Sequence, residues 1–371
     1  MIVGILKEIK VAEMRVSMTP AGVITMIHNG HQVLVETDAG AGSGYPDADY
    51  VEAGATIIDT PAEVYQKSDM VMHVKEPQPS EYDLIREDQI VFTYLHLAAD
   101  EQQTKALIKS KSIAIAYETI EKDNHSLPLL VPMSEVAGRM AAQEAAKYIE
   151  MPQGGMGILL GGVTGVEPAT VVIIGGGVVG INAAKMACGL GAKVYILDMN
   201  LERLAYLDDV MPANCFPVMS NPAILARLVK EADVVIGAVL VAGAKAPKLL
   251  TRAMLKTMKK GSVIVDVAID QGGCFETSRP TTHDDPCFEV DGVIHYCVAN
   301  MPGAVARTSA LALTNATLPY AVQIANKGWK KAMQENKEIK LGANVIKGKV
   351  TYKAVAEAFD IEYTPIDVFV A

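Results

Sequence analysis

VVIIGGGVVGINAAKMACGLGAKVYILD, residues 171–198, sets four β-branched residues directly ahead of three glycines. Gly175, Gly177 and Gly180 form G-x-G-x-x-G between an apolar run and a helix-forming segment. In this pattern Gly175 permits a tight turn, Gly177 lets a pyrophosphate approach the backbone, and Gly180 lets the helix lie close to the strand. The helix N-terminus, at Val178 and Val179, adds unpaired N–H groups and partial positive charge. Asp198 closes the next apolar run, at the distance where ribose hydroxyls are held. Strand, glycine turn, helix and acid in this order predict a dinucleotide site. A carboxylate at 198 accepts bonds from a free 2′-OH and repels a 2′-phosphate, which favours NAD over NADP. Arg203, five residues on, reads equally well as a phosphate contact or as a solvated helix charge.

The pattern continues outward. Short apolar runs at 171–175, 193–198, 215–219, 233–240, 262–268 and 293–298 read as strands, most of them separated by helix-length segments. Continuous apolar strands alternating with helices mean a parallel sheet covered on both faces, and six such strands complete a doubly wound dinucleotide fold. The N-terminal third repeats the pattern more weakly, with strands expected at 2–5, 33–36, 70–74, 90–94 and 113–117, but without a glycine fingerprint. Residues 132–151 and 304–333 read as long helices flanking the glycine-bearing unit. The predicted fold is α/β, with two Rossmann-like doubly wound domains joined by long helices. An NAD-binding domain, 131–305, is inserted into a discontinuous substrate domain, 1–130 plus 306–371. Ligands of open α/β sheets sit at the carboxyl ends of the strands, so the cleft between the domains is the expected site.

Composition narrows the function. With 371 residues the chain can bury a large core in two domains. Half of it is hydrophobic and a fifth charged, which suits an ordinary globular protein rather than a disordered one. A net charge of −10 without a basic block argues against nucleic acid. The five cysteines form no CxxC pair, so a reduced cytoplasmic setting is expected, with neither a disulfide framework nor a metal site. The opening MIVGILKEIK is too short an apolar run for a signal peptide, and no run reaches the roughly 18 apolar residues of a membrane span.

A nicotinamide enzyme needs a group that moves protons and cations that hold an acid substrate. Seven histidines are present. His96, in FTYLHLA, follows an apolar strand, and imidazole titrates near neutral pH. By itself it is as readily a packing residue. His28 and His31 flank a turn and read as surface residues, His125 sits in a polar loop, and His73 reads as a satisfied strand residue. Lys75 in MHVKEP ends another strand, and Arg15 in AEMRVSMTP follows the first; either could grip a carboxylate or stand as a surface charge. Asp270 follows the fifth strand of the glycine-bearing unit beside a Gly-rich loop, and Asn300 follows the sixth. Asp266, within the strand, reads as structural.

Taken together, KEIK with Arg15 and the following TP, HVKEP, TYLHLA, LLGGV…GGGVVG, IGAVLV, VDVAIDQGGCFETSRPTTH, YCVANMPGAV and ALTNATLPY resemble the alanine dehydrogenase family, in order, across almost the whole chain. Relatives in that family include the NAD-binding subunit of proton-translocating transhydrogenase and saccharopine dehydrogenase. The resemblance implies reversible, NAD-dependent oxidative deamination of L-alanine to pyruvate and ammonia, in the cytoplasm, by a homo-oligomer that is usually hexameric. It implies that Arg15 and Lys75 hold the substrate carboxylate and keto groups, that His96 is the proton donor or acceptor near the substrate oxygen, and that Asp270 is a second acid/base. It places Ser134, the Gly175–Gly180 loop, Asp198, Arg203, Ser220, Val239, Leu240, Val267, Ala268, Ile269, Asp270, Arg279, Val298, Ala299, Asn300 and Met301 around NAD. Three other readings stand beside it: a same-fold dehydrogenase for a larger amino acid such as saccharopine, a transhydrogenase-type subunit that passes hydride to a partner, and a catalytically dead NAD-binding protein.

Overall fold

The computed structural model describes residues 1–239 and 246–371, which form two compact units, Met1–Met133 with Val305–Ala371 and Ser134–Ala304. The chain passes from the first unit to the second within the helix Val131–Tyr148 and returns just ahead of the helix Ala306–Lys327.

In the first unit β1 (Ile2–Ile5), β2 (Gln32–Glu36), β3 (Thr56–Ile58), β4 (Met70–Met72), β5 (Ile90–Thr93) and β6 (Ile113–Ala116) are parallel, in the order β3-β2-β1-β4-β5-β6. The second unit repeats this order. Strands β7 (Thr170–Ile174), β8 (Lys193–Asp198), β9 (Cys215–Met219), β10 (Val234–Gly237), β11 (Val263–Asp266) and β13 (Val293–Tyr296) run β9-β8-β7-β10-β11-β13, all parallel. The antiparallel β12 (Cys287–Val290) closes its edge. The chain then returns to the first sheet as β14 (Ala343–Ile346) and β15 (Lys349–Val350), with β14 antiparallel to β6. In both sheets the order reverses between two central strands, β1 and β4 or β7 and β10. Crossover helices leave that point in opposite directions, so the carboxyl edge there stays uncovered.

Local chemistry explains the crossovers. Helix Pro61–Lys67 starts with Pro at its first position, and the Thr60 hydroxyl accepts the Glu63 N–H. Asp100 caps Glu101–Ser110 through the Gln103 N–H, and Asn221 caps Pro222–Glu231 through the Ile224 N–H. Each cap satisfies an N–H that the helix itself cannot. The first sheet is buried on both faces. Val3, Ile5, Met70, Met72, Phe92 and Ile115 pack on one side with Ala310, Leu313 and Ile324 of the returning helix. Leu34, Val71, Val91, Ala114 and Val345 pack on the other. This two-sided burial is why the strands read as continuous apolar runs.

The expected strands are present, with ends shifted by a few residues; the C-terminal residue of the run 233–240 lies outside the described residues. The sequence reading missed β3, β12, β14 and β15, which are short or lie at sheet edges. Among the described residues no helix is long and apolar enough to cross a membrane.

Candidate active site

In the first unit the candidate residues follow β1, β4, β5 and β6 at the carboxyl edge. Arg15, in the segment after β1, is 3% exposed, which removes the surface-charge reading. Its guanidinium is clamped by Glu13: Nε donates to Oε1 at 2.7 Å and Nη2 to Oε2 at 2.5 Å, while the Arg15 backbone N–H donates to Oε1 at 3.0 Å. Nη1 points to Met133 Sδ at 2.9 Å. Burial works against both charges, but the bidentate pair outweighs it, so the Glu13 carboxyl is held below its ordinary range and the Arg15 guanidinium above its own. Glu13 is a site residue that the sequence reading missed. An acid two residues from an arginine in a loop gives no periodic signal.

Lys75 lies just past β4. Its backbone is pinned from both sides: its N–H donates to Glu8 Oε2 at 3.2 Å, and its carbonyl accepts the Thr93 hydroxyl at 2.9 Å. The Lys75 charge also helps to hold the Glu13 carboxyl down.

His96 follows β5 in a left-handed conformation, φ +50° and ψ 36°, an uncommon region for a residue other than glycine. Glu118, just past β6, holds that turn by accepting the His96 N–H at 2.6 Å and the Leu95 N–H at 3.2 Å. The imidazole is exposed on one side and stacks on Tyr94, with centroids 5.9 Å apart and planes 11° apart. Tyr94 in turn donates its hydroxyl to the Leu129 carbonyl at 2.5 Å. Backbone strain of this kind persists only where neighbours over-determine it, and Glu118 and Tyr94 do so here. Arg15, Lys75 and His96 thus each follow a strand at the carboxyl edge of one sheet, with Glu13 supporting Arg15 and Glu118 supporting the His96 turn.

A buried acid–base network lies beneath them. His73, 1% exposed, has Nδ1 3.2 Å from Glu8 Oε1 and Nε2 3.3 Å from Glu81 Oε1 and 3.1 Å from the Tyr65 hydroxyl. Burial alone would lower its pKa, but the two carboxylates outweigh burial and raise it to about 10. His31, expected at the surface, is buried instead: Nε2 meets Asn326 Oδ1 at 2.8 Å, and Nδ1 meets the N-terminal amine at 3.3 Å. His28 and His125 are exposed.

In the second unit the candidate residues again occupy the carboxyl edge. Gly175 has φ +106°, and a Cβ there would meet the Ala238 carbonyl oxygen at 2.7 Å. A Cβ on Gly180 would lie 1.8 Å from the Gly175 oxygen, so the helix Val178–Gly189 could not seat against β7 with any side chain there. A Cβ on Gly177 would meet no atom within 4 Å, so the space above the loop is open. Gly177 caps that helix without a side chain of its own, which leaves the N–H groups of its first turn for an outside acceptor. This arrangement fits a dinucleotide pyrophosphate.

Asp198 ends β8 and ties the loop to it, with Oδ2 accepting the Gly176 N–H at 2.8 Å and Oδ1 the Asn200 N–H at 2.9 Å. Arg203 is half-buried rather than solvated, with Nε donating to the Gly176 carbonyl and the guanidinium over the Tyr206 ring. The Ser220 N–H donates to the Asp198 carbonyl at 2.9 Å. Val239 follows β10, and Leu240 lies outside the described residues. Ser134 is in the first turns of the helix Val131–Tyr148.

Val267, Ala268, Ile269 and Asp270 form the turn after β11, with Asp270 exposed. Asp266, fully buried, anchors that turn by accepting from the N–H groups of Ala268, Cys274 and Phe275 and from the Ser278 hydroxyl. Lys248 ties down the same loop through the carbonyls of Gly272, Gly273 and Phe275. Val298, Ala299, Asn300 and Met301 follow β13; the Ala299 N–H donates to Thr281, and Asn300 is left-handed at φ +60°. Arg279 lies over the Phe288 ring at 4.2 Å.

Two family models, described as the N-terminal and C-terminal domains of alanine dehydrogenase/PNT, match residues 4–137 and 141–353. The chain belongs to the alanine dehydrogenase/PNT family. It is 58% identical over 368 residues to an alanine dehydrogenase of Methanococcus maripaludis, covering 99% of each chain. It is 57% identical over 366 residues to alanine dehydrogenase 2 of Staphylococcus aureus, covering 98% of each. Among solved structures, an L-alanine dehydrogenase aligns at TM-score 0.94 and 50% identity, over 97% of this chain and 99% of the other. A transhydrogenase from Sinorhizobium meliloti aligns at TM-score 0.83 and 26% identity, over 95% of this chain and 100% of the other. This member of the family therefore carries both of its domains.

The raised pKa of His73 couples folding to pH. A group whose pKa rises on folding stabilises the native state fully below its unfolded value, and that contribution is lost as pH climbs through the folded value. For His73 the loss runs from 6.5 to about 10. The melting temperature of the wild type should exceed that of His73→Gln by a constant margin between about pH 5 and 6.5, and the margin should shrink toward pH 10. A margin independent of pH between 6 and 10 contradicts the charged imidazole.

Proposed function

We propose that this chain catalyses the NAD-dependent, reversible oxidative deamination of L-alanine to pyruvate and ammonia. The observation that carries the reading is near-full-length likeness, at 56–58% identity, to proteins named alanine dehydrogenase. The likeness to transhydrogenase is weaker in both sequence and structure, so a subunit that only passes hydride to a partner is the poorer account.

In this reading Lys75 and Arg15 orient the small substrate through its carboxylate and keto groups. Arg15 arrives already paired with Glu13 through Nε and Nη2. The Arg15–Glu13 pair carries little net charge, and Lys75 supplies the larger share of attraction for an anionic substrate. Bound NAD would supply the acceptor for the hydride of the alanine Cα. His96 then moves the protons: it takes one from the water that adds to the oxidised carbon and returns one as the amine leaves. Its strained turn and its stacking on Tyr94 hold the ring in place for this work. Asp270 is the second acid/base, and the anchoring of its loop by Asp266 sets where its carboxylate stands.

For the dinucleotide, the Gly175–Gly180 loop with Val178 and Val179 takes the pyrophosphate and Asp198 takes the adenosine ribose. Arg203, Ser220 and Val239 line the adenosine end. Ser134, Val267, Ala268, Ile269, Arg279, Val298, Ala299, Asn300 and Met301 line the remainder. The setting is the cytoplasm, and the assembly is a homo-oligomer of six copies by family likeness. Exposed apolar side chains at Leu159, Val163 and Val166 suit burial between copies. Sedimentation of the purified protein should give the mass of the hexamer; a monomer mass at micromolar concentration refutes that part.

The direct test is NADH formation at alkaline pH from NAD and a panel of L-amino acids. Rapid reduction with L-alanine and little with glutamate or saccharopine is expected; equal rates with the larger substrates would overturn the assignment. His96→Ala should lower kcat by at least about a hundredfold, the low end for general acid–base catalysis, while NADH still binds with its ordinary affinity. A near-normal rate in that variant removes His96 from the mechanism.

A further inference from the structure

The buried His73 network is not used in the chemistry above, yet its bonds end on Lys75. Strand β4 stops at Met72, so the N–H groups of Val74 and Lys75 lie beyond the strand and need other acceptors. Glu8 supplies them: Oε1 accepts the Val74 N–H at 2.6 Å and Oε2 the Lys75 N–H at 3.2 Å. The Glu8 side chain is only 3% exposed, so its charge is balanced by protein rather than water, and His73 Nδ1 is 3.2 Å from the same Oε1. Glu81 holds the opposite edge of the imidazole at Nε2, where the Tyr65 hydroxyl also lies at 3.1 Å.

An apolar trio in these places would satisfy packing at least as well, because buried ions seldom add net stability. What an apolar trio lacks is an acceptor for two backbone donors at the root of Lys75. The Glu8 carboxylate also acts electrostatically on Arg15. Without a cation beside it, Glu8 would compete with an anionic substrate for the charges of Arg15 and Lys75. We propose that His73 is a positioning residue for substrate binding: through Glu8 it fixes the backbone of Val74 and Lys75, and it keeps the Glu8 charge from opposing the substrate carboxylate. The proposal rests on the reading of Lys75 as a substrate ligand.

The experiment is steady-state kinetics with pyruvate and L-alanine for His73→Gln, Lys75→Gln and the double variant, alongside NADH titration. For His73→Gln the pyruvate KM should rise about tenfold, the loss expected for one charge-assisted hydrogen bond. Its kcat should stay within about threefold and its NADH affinity should be unchanged. In the Lys75→Gln background the same change should add nothing further, because His73 acts through Lys75. A general structural defect would instead lower kcat and add its full effect in the double variant, which overturns the proposal. An unchanged pyruvate KM in His73→Gln, with a raised one in Lys75→Gln, also overturns it while leaving the Lys75 reading intact. An unchanged KM in Lys75→Gln removes that reading, and the proposal with it. Should His73→Gln fail to fold, Glu81→Gln decides the question. It keeps the Glu8 bonds and weakens the hold on the imidazole, so a raised pyruvate KM at unchanged NADH affinity supports the proposal and an unchanged KM overturns it.

Discussion

A parallel sheet ends all of its strands on one edge, and everything functional in this chain depends on that constraint. In each unit the strand order reverses between two central strands, and the edge beside the reversal is left uncovered by crossover helices. Glu8, Lys75, His96 and Glu118 follow β1, β4, β5 and β6. The glycine loop, Val239, Val267–Asp270 and Val298–Met301 follow β7, β10, β11 and β13, and Asp198 ends β8. Glu8 and Lys75, 67 positions apart, become neighbours only because β1 and β4 lie side by side in register.

The two edges solve different electrostatic problems. In the second unit the loop presents backbone N–H groups and a helix N-terminus, so an anion is met by dipoles that need no desolvated countercharge. The first unit instead buries full charges. Removing a carboxylate or a guanidinium from water costs several kcal/mol, recovered only with good geometry and complete hydrogen bonding. Arg15 with Glu13, and His73 with Glu8 and Glu81, meet that demand, and each carboxylate also accepts a backbone N–H. The acids are therefore as much a part of the edge as the cations they hold.

These partnerships set the order of rigidity. Glu118 over-determines the strained turn of His96, Glu8 and Thr93 pin Lys75, and Asp266 gathers the loop that carries Asp270. The groups proposed to touch substrate are thus held by carboxylates and hydroxyls that do not touch it, which is how a precise geometry survives in loops.

The amino-acid sequence by itself determined the principal parallel strands of both sheets, the glycine turn and Asp198. Each is a local signal: runs of apolar residues, residues without Cβ at a fixed spacing, one acid at the end of a strand. Lys75, His96 and Asp270 were legible as candidates because they stand just after such runs and Arg15 because it lies in the segment after the first, and the family motifs around them strengthened that reading. The supporting acids were not legible. Glu8 meets His73 across 65 positions and Glu118 meets His96 across 22, and such pairings have no period in the chain. The return of β14 and β15 to the first sheet, the burial of His31 against Asn326, and the closure of Glu13 on Arg15 were likewise decided by tertiary structure. Only the folded sheet brings those donors and acceptors to one place and removes the water that would otherwise satisfy them.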